Sequence, residues 1–385
     1  TWQHWTVFGQ IVVLGLIQIG GLGVMSVTAL VSFFMGRTIT MRERLEMSAS
    51  LSLDDISGTV RLMREVMLFT AAIELTGTAL LSIRFIPQFG VPEGLWKAFF
   101  HAVSAFCNAG FDLMGQREAF SNLSDYAQDP LVNLVIVALI VMGGLGFLVW
   151  RDLSANRKWN CLSVHTRLVL IMTALLLIGG TLAIFVLEYS NPQTLGNMPV
   201  GNRVLASLFQ ATTCRTAGFN TIDQGALRSG TAVICILLMF VGGSSGSTAG
   251  GIKTTSVAVL ILAAWSVLRS RRDITVFHRR IEERLVMQAV ALVMAALGLI
   301  LTGSFILYTA DNVSVGRALY ETVSAFSTTG LSENLTPTLG VISKCWLILE
   351  MYLGRIGILT LGAAVFTRRI FEPKIRYPES KVIVG

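Results

Sequence analysis

Long apolar stretches alternate with short polar connections along the whole chain. Six stretches are long enough to cross a bilayer as a helix, which needs about 20 mostly apolar residues. They are residues 6–35, 66–86, 131–150, 168–187, 286–308 and 342–366. A seventh stretch, residues 229–268, is interrupted by glycine and serine near its middle. The hydropathy pattern therefore predicts seven helical crossings.

A short motif recurs three times between these apolar stretches. The copies are residues 104–111 (SAFCNAGF), 211–219 (ATTCRTAGF) and 324–331 (SAFSTTGL). One glycine of this kind would indicate an ordinary turn, but three in phase favour a shared role. Equivalent loops carried between helices are what a pore built from several re-entrant segments requires.

A second motif, made of small residues, occurs four times. The copies are residues 19–23 (IGGLG), 142–146 (MGGLG), 241–246 (VGGSSG) and 353–357 (LGRIG). In the third and fourth copies the first glycine follows the glycine of the preceding loop motif by 24 residues. Applied to Gly20, this interval predicts another loop before Thr1.

Together the two motifs predict an all-α integral membrane protein of four linked membrane-pore-membrane repeats around a central pore, with the first repeat incomplete in this chain. Residues 1–36 would be the inner helix of repeat 1, and residues 37–150 would form repeat 2. Residues 151–268 would form repeat 3 with a broken inner helix, and residues 269–385 would form repeat 4 and a cytoplasmic tail.

Composition and charge support a membrane location. Hydrophobic residues make up 53% of the chain and charged residues only 14%, too little polar surface for a soluble domain of this size. Of the 30 Lys and Arg residues, 20 lie in alternate connections and the C-terminal segment, which predicts that these parts are cytoplasmic. The net charge of +7 follows from this topology and from attraction to anionic lipid, so no nucleic-acid partner is predicted.

The loop motifs suit a dehydrated monovalent cation. Backbone carbonyls replace the water of such an ion without a fixed charge that would hold it too tightly. Aiming successive carbonyls at one axis requires unusual dihedral angles, which glycine adopts easily. Acids follow each motif, at Asp112, Asp223 and Glu333, either to attract cations or as ordinary acids of exposed loops. The predicted filter, with K⁺ at its carbonyl oxygens, comprises Asn108, Ala109, Gly110, Thr216, Ala217, Gly218, Thr328, Thr329 and Gly330.

The interruption of the seventh apolar stretch predicts a gate. Each glycine costs a helix about 1 kcal/mol relative to alanine, and hydroxyl groups can satisfy the freed backbone. The unwound segment would lie just beneath the filter, unless it is a linker outside the membrane. The predicted gate residues are Gly242, Gly243, Ser244, Ser245, Gly246, Ser247, Thr248, Ala249, Gly250, Gly251 and Lys253, together with Arg355.

Arg355 replaces a small residue in the fourth copy of the second motif. A charge at membrane depth is costly, so function is the first hypothesis: a cation on the pore axis would repel permeating ions. A structural ion pair with Glu350 or Glu321 is the alternative. Lys253 has a weaker case, since its side chain could extend to the cytoplasmic surface.

An enzymatic alternative starts from Ser244, which lies in a G-x-S-x-G pattern at residues 242–246. An intramembrane serine hydrolase would need a histidine within hydrogen-bonding reach. The only later histidine, His278, lies in a basic connection predicted to be cytoplasmic. The five cysteines show neither disulfide nor metal-site spacing, so the sequence favours a protein that is not an enzyme.

These motifs resemble the Trk/Ktr/HKT superfamily of potassium transporters. The resemblance rests on residues 108–112, 216–220 and 328–332, the glycine-rich interruption and Arg355, and it spans essentially the whole chain. Within the superfamily the short C-terminal segment is most similar to that of the KtrB membrane subunits.

The resemblance implies a gated potassium uptake subunit in the bacterial plasma membrane, multi-pass and with a cytoplasmic C-terminus. It implies a homodimer with one pore per subunit, a surrounding membrane lipid, and a cytosolic KtrA-like ring that binds ATP or ADP. The chain itself would bind no cofactor besides the transported K⁺. Glycine in each visible filter copy is similar to the potassium-selective branch, but a sodium-permeable or sodium-coupled symporter stays open as an alternative.

Overall fold

The computed structural model describes residues 2, 4–23, 59–115, 121–271 and 273–356. The last residues of the first and final predicted crossings, and the predicted cytoplasmic tail, lie outside this part of the chain. The described helices are α1 (Val7–Leu22), α2 (Thr59–Phe89), α3 (Val91–Phe106), α4 (Pro130–Leu145), α5 (Phe147–Ala155), α6 (Val164–Glu188), α7 (Val200–Thr213), α8 (Ser229–Phe240), α9 (Thr254–Leu268), α10 (Glu283–Asp311), α11 (Val315–Phe326) and α12 (Val341–Ile356). A hairpin of β1 (Thr275–Val276) and β2 (Arg279–Arg280) separates α9 from α10.

Three long apolar helices, each followed by a short one, set the architecture. Within the described residues, segments of α2, α6 and α10 are long and apolar enough to cross a membrane by themselves. The short helices α3, α7 and α11, here called the loop helices, end at the three copies of the loop motif. Their mixed composition buries one face among the long helices, so each loop motif is held inside the protein.

Local sequence signals start these helices. The Asp129 carboxylate accepts hydrogen bonds from the backbone of Leu131 and Val132, and Pro130 fills the first helical position of α4. The first amides of a helix have no partner within it. The Asp129 carboxylate accepts from two of them, and Pro130 has no N–H to satisfy. Ser163 caps α6 in the same way, because its hydroxyl accepts from the Thr166 amide at 3.2 Å.

The apolar stretch at residues 131–150, predicted as one crossing, consists of two helices, which together are long and apolar enough to cross a membrane. The chain bends by 91° between α4 and α5. The bend is at Gly146, whose dihedral angles are φ 94° and ψ 145°. Gly23, at the same place in the first copy of the small-residue motif, has φ 83° and ψ 145°. This region is open to glycine and strained for other residues, so the pattern GGLG ends a helix at both places.

The other glycines of these motifs let helices approach closely. A Cβ atom added at Gly143 of α4 would overlap the Phe106 carbonyl oxygen at the end of α3. One added at Gly354 of α12 would overlap the Phe326 carbonyl oxygen at the end of α11. Small residues at such crossings allow backbone contact between apolar helices, so each loop motif is fixed against a neighbouring helix.

Gly354→Ala should lower the melting temperature in detergent, because the added methyl group would force α12 away from α11 at a cost of about 1–3 kcal/mol. The matched control is Gly298→Ala in α10, where an added Cβ meets no heavy atom within 4 Å. Helix propensity alone should make that change neutral or stabilising, by about 0.5–1 kcal/mol. Equal melting temperatures for the two variants would contradict the close approach.

Candidate functional site

The three loop motifs share an unusual backbone. Two residues in each copy, separated by one other, have φ in the left-handed region, which disfavours residues other than glycine. The φ values are 51° for Asn108 and 72° for Gly110, 67° for Thr216 and 82° for Gly218, and 55° for Thr328 and 85° for Gly330. The three loops therefore share one backbone pattern at these positions.

The structure brings the three loops together, and after their predicted repeats they are called the second loop (104–111), the third loop (211–219) and the fourth loop (324–331). A Cβ atom added at Gly110 would lie 2.5 Å from the Ala217 carbonyl oxygen of the next copy. One added at Gly218 would overlap the Thr329 carbonyl oxygen of the copy after that. At Gly330 an added Cβ meets no heavy atom of the described residues within 4 Å. Glycine therefore provides the close approach between successive loops as well as their backbone conformation.

Each loop is tied back to its own loop helix. In each copy a backbone amide of the motif donates to the backbone carbonyl of a serine or threonine in the loop helix. The bonds are Ala109 N to Ser104 O (2.8 Å), Ala217 N to Thr213 O (3.0 Å) and Thr329 N to Ser324 O (2.9 Å). In two copies the hydroxyl also closes the loop, since Ser104 Oγ donates to Phe111 O and Thr213 Oγ1 donates to Phe219 O. The predicted filter residues thus lie in rigid turns.

The acids that follow the motifs have local partners, and Asp223 accepts from the Asn334 side chain, which follows another loop motif. Asp112 accepts from the Met114 amide at 2.9 Å. Glu333 lies 3.6 Å from the Arg317 guanidinium. Burial raises the pKa of the Glu333 carboxyl, and the Arg317 charge opposes that rise. The Arg317 charge offsets the pull of Glu333 on passing cations, whereas Asp112, bonded to a neutral amide, keeps its full charge.

Residues 241–253 separate α8 from α9 and pack against the break between α4 and α5. The last carbonyl groups of a helix have no partner within it. Here the interrupting segment donates hydrogen bonds to those at the end of α4. Three backbone hydrogen bonds join the two breaks: Ser244 N to Gly144 O (3.0 Å), Thr248 N to Gly143 O (3.3 Å) and Phe147 N to Gly246 O (2.9 Å). Each break therefore satisfies backbone groups that the other leaves free.

Hydroxyl groups close the interruption on itself. Ser244 Oγ lies 3.1 Å from Thr254 Oγ1, and Ser245 Oγ lies 3.0 Å from Thr255 Oγ1. The Lys253 ammonium donates to Ala249 O at 2.7 Å, so it binds the interruption rather than extending to a surface. Ser244 is fully buried beside a threonine, and no histidine is among its described hydrogen-bond partners. The geometry gives that serine no general base.

Thr248 joins the interruption to a loop motif. Its buried hydroxyl donates to the Phe106 carbonyl oxygen at 3.0 Å and accepts from the side-chain Nδ2 of Asn108 at 3.3 Å. Its own carbonyl oxygen accepts from the Arg355 guanidinium at 2.6 Å. One threonine thus connects the second loop motif, the interruption and the charged residue of α12.

Arg355 binds backbone carbonyls. One nitrogen donates to Thr248 O, and another donates to Gly20 O at the end of α1. The predicted partners Glu350 and Glu321 are hydrogen-bonded to other side chains. Within the described ranges no carboxylate forms an ion pair with Arg355. The guanidinium therefore keeps its charge beside the loops without an acid to neutralise it.

A cavity of about 550 Å³ lies beside the second and fourth loops. Asn108, Ala109, Thr328 and Arg355 contribute to its walls. Among the described residues no group of three or more His, Cys, Asp or Glu side chains could hold a metal ion. Most of the residues that line the cavity are apolar, and its polar side chains include those of Asn108, Thr328 and Arg355.

Two features of the site had no counterpart in the sequence predictions. The break at Gly146 is one, although the repeated GGLG pattern is a signal for it. The other is a polar cluster in which the Gln18 amide donates to Glu74 at 3.2 Å and Cys107 Sγ lies 3.6 Å from Gln18 Oε1. An acid inside a long apolar stretch could have indicated Glu74. This cluster fixes the start of the second loop against α1 and α2.

Known proteins share this sequence and fold. Residues 3–374 match the family described as TrkH, cation transport protein. The chain is 42% identical over its full length to the Ktr system potassium uptake protein B of Bacillus subtilis strain 168, of which it covers 85%. It is 35% identical over its full length to the potassium/sodium uptake protein NtpJ of Enterococcus hirae, also covering 85%. The Ktr system potassium uptake protein B of Vibrio alginolyticus is 35% identical, with 84% covered.

The structure is similar to that of the potassium transporter TrkH from Vibrio parahaemolyticus, with a TM-score of 0.67. The two are 16% identical, and the match covers 84% of this chain and 68% of the other, so it shows the shared fold alone. The family resemblance inferred from the motifs is confirmed, and these relatives are ion transporters rather than enzymes. The chain is a member of the TrkH family of cation transport proteins.

Proposed function

We propose that the chain is the ion-translocating subunit of a gated potassium uptake system in the bacterial plasma membrane. The observation that carries this proposal is the shared left-handed backbone of the three loops, which lie in contact with one another. Carbonyl groups in equivalent directions on several converging loops are a means of replacing the water around K⁺. The names of the Bacillus and Vibrio relatives supply the same ion.

In this proposal four membrane-pore-membrane repeats surround one pathway, and the residues of the loop motifs select the ion. Gly110, Gly218 and Gly330 set the carbonyl directions. The other left-handed residue of each loop lies two residues before the glycine and also contributes its carbonyl. These residues are Asn108, Thr216 and Thr328.

The interruption at residues 241–253 is the proposed gate. It is bonded to the second loop through Thr248 and to the break at Gly146 through backbone groups. The Arg355 guanidinium holds Thr248 O and adds a positive charge that opposes passing cations. Opening then requires this segment and Arg355 to move apart.

Assembly follows from the relatives. Names containing "Ktr system" indicate a transporter with more than one kind of subunit. We infer a homodimer of this chain with a cytosolic KtrA-like ring that binds ATP or ADP. Sodium coupling or sodium permeation is a second candidate, favoured by the 35% identity to a protein named for potassium/sodium uptake.

Gly218→Ser should reduce the discrimination of K⁺ over Na⁺ by about tenfold or more, equivalent to about 1.4 kcal/mol. The added side chain would overlap the Thr329 carbonyl oxygen and occupy a backbone region with φ 82°. The measurement is K⁺ and Na⁺ uptake into proteoliposomes. Gly201→Ser is the control, since an added Cβ at this residue of α7 meets nothing within 4 Å. Unchanged discrimination in Gly218→Ser would remove this loop from the filter.

Thr248→Val should raise K⁺ flux in the resting state, because it deletes the hydroxyl that binds Phe106 and Asn108. Loss of such buried bonds costs about 1–3 kcal/mol of the closed arrangement. Thr248→Ser keeps the hydroxyl and should retain low resting flux. Flux assays on both variants, with melting temperatures to confirm folding, would contradict the gate if the two variants behave alike.

Arg355→Ala should also increase K⁺ flux, since it removes both the charge and the bond to Thr248 O. Arg355→Lys keeps the charge without the forked geometry and should leave flux closer to that of the original protein. Lys344→Ala on the same helix controls for loss of a positive charge. If flux does not rise in Arg355→Ala, the guanidinium serves packing rather than gating.

A further inference from the structure

A basic pocket lies away from the candidate pore. It has a volume of about 740 Å³ and is formed between the connection from α5 to α6 and the hairpin that follows α9. Both connections are predicted to be cytoplasmic. The lining residues are Asn160, Cys161, Leu162, Ser163, Val164, Arg167, Phe277, His278 and Arg279.

Two arginines line the pocket, and one acid borders it, since the Asp152 carboxylate accepts from the amide of the lining residue Ser163. Arg167 and Arg279 line it together with His278, and none of its lining residues is Asp or Glu. The neighbouring acids of the hairpin, Asp273 and Glu283, pair with Arg280 at 3.0 and 3.6 Å. Within the described ranges neither lining arginine forms an ion pair, so both charges are available to a ligand.

Arg167 is held in place before any ligand arrives. Its guanidinium lies 5.3 Å from the centre of the Phe277 ring and donates to Asn160 O at 2.5 Å. Its Nε atom is buried and has no hydrogen-bond partner among the described residues. A guanidinium already held in place loses little side-chain entropy when its accessible nitrogens bind an oxyanion.

We propose that this pocket binds a phosphate group, carried either by an anionic lipid or by a soluble phosphate compound. Arginine forms strong paired hydrogen bonds with phosphate oxygens. A lipid source is consistent with Trp159, which is 46% exposed next to the basic residues Arg157 and Lys158. Tryptophan flanked by basic residues is typical of a membrane interface that faces anionic lipid.

Both walls of the pocket lead to the interrupting segment. On one side, Asp152 of α5 accepts from the Ser163 amide at 2.9 Å, and α5 begins at Phe147, which is bonded to Gly246. On the other side, Ser266 of α9 donates to Asp273 O at 3.0 Å, and α9 continues directly from the interruption. An effect of the ligand on flux rests on the proposed function, whereas binding itself does not.

Cys161 provides a direct readout of binding. It lines the pocket and is exposed, as is Cys345 on α12, while the other three cysteines of the chain are buried. A phosphate ligand should slow maleimide labelling of Cys161 and leave Cys345 unchanged. The experiment uses the full-length protein in nanodiscs of phosphatidylcholine, with or without phosphatidylglycerol, and adds ATP or inorganic phosphate to the uncharged discs.

Arg279→Gln and Arg280→Gln form a matched pair. They remove the same charge from adjacent exposed residues, but only Arg279 lines the pocket. Arg279→Gln should weaken the protection of Cys161 by about tenfold, the effect of one lost charge-assisted hydrogen bond. Arg280→Gln should preserve it. General surface potential would act on both variants alike.

The possible outcomes distinguish a lipid phosphate from a soluble phosphate, and they test the phosphate site separately from the proposed function. Protection by phosphatidylglycerol alone identifies a lipid headgroup, and protection by ATP or phosphate in uncharged discs identifies a soluble ligand. If neither slows the labelling of Cys161, or if the two variants lose protection equally, the phosphate site is overturned. That result leaves the Thr248 and Arg355 flux tests unaffected, so this inference and the proposed function can fail separately.

Discussion

Inside a membrane, a helix can end only where another group takes up its last carbonyl oxygens, because no water is present to do so. Here the chain is interrupted between α4 and α5 and between α8 and α9, and the two interruptions exchange backbone hydrogen bonds. The carbonyls of Gly143 and Gly144 accept from the segment between α8 and α9, and the Phe147 amide donates back to Gly246. The interrupting segment is therefore held by the backbone of another unit, in a position that depends on both.

This mutual dependence places the rest of the site. Once the interruption is bound to the α4–α5 break, the Thr248 hydroxyl reaches the end of α3 and the amide of Asn108. Movement of the segment would break bonds to the second loop as well as bonds to the neighbouring helix. In the proposed function, selection and gating therefore depend on shared contacts.

The sequence allowed the loops to be predicted and left their connections hidden. Gly110, Gly218 and Gly330 were identifiable because a left-handed backbone favours one residue type, and three copies in phase exclude coincidence. The bend at Gly146 was missed because hydropathy treats an apolar stretch as continuous whatever its dihedral angles. The partners of Arg355 could not be predicted either, since backbone carbonyls carry no sequence signal. Acidic residues can be identified in a sequence, so Glu350 and Glu321 were the predicted partners.

The guanidinium of Arg355 donates to backbone carbonyls and not to acids, and this has a physical consequence. A carboxylate would cancel the charge and leave a neutral pair, whereas carbonyl oxygens stabilise the guanidinium and leave its field largely intact. Two like unit charges 6 Å apart repel by about 3 kcal/mol at an effective dielectric constant near 20. A barrier of that size slows passage about a hundredfold and is removed when the arginine moves away. In the proposed function, a charge without an acid partner among the described residues, hydrogen-bonded to the interrupting segment, is suited to control ion flow, because one movement of that segment would break its bonds and lower its barrier.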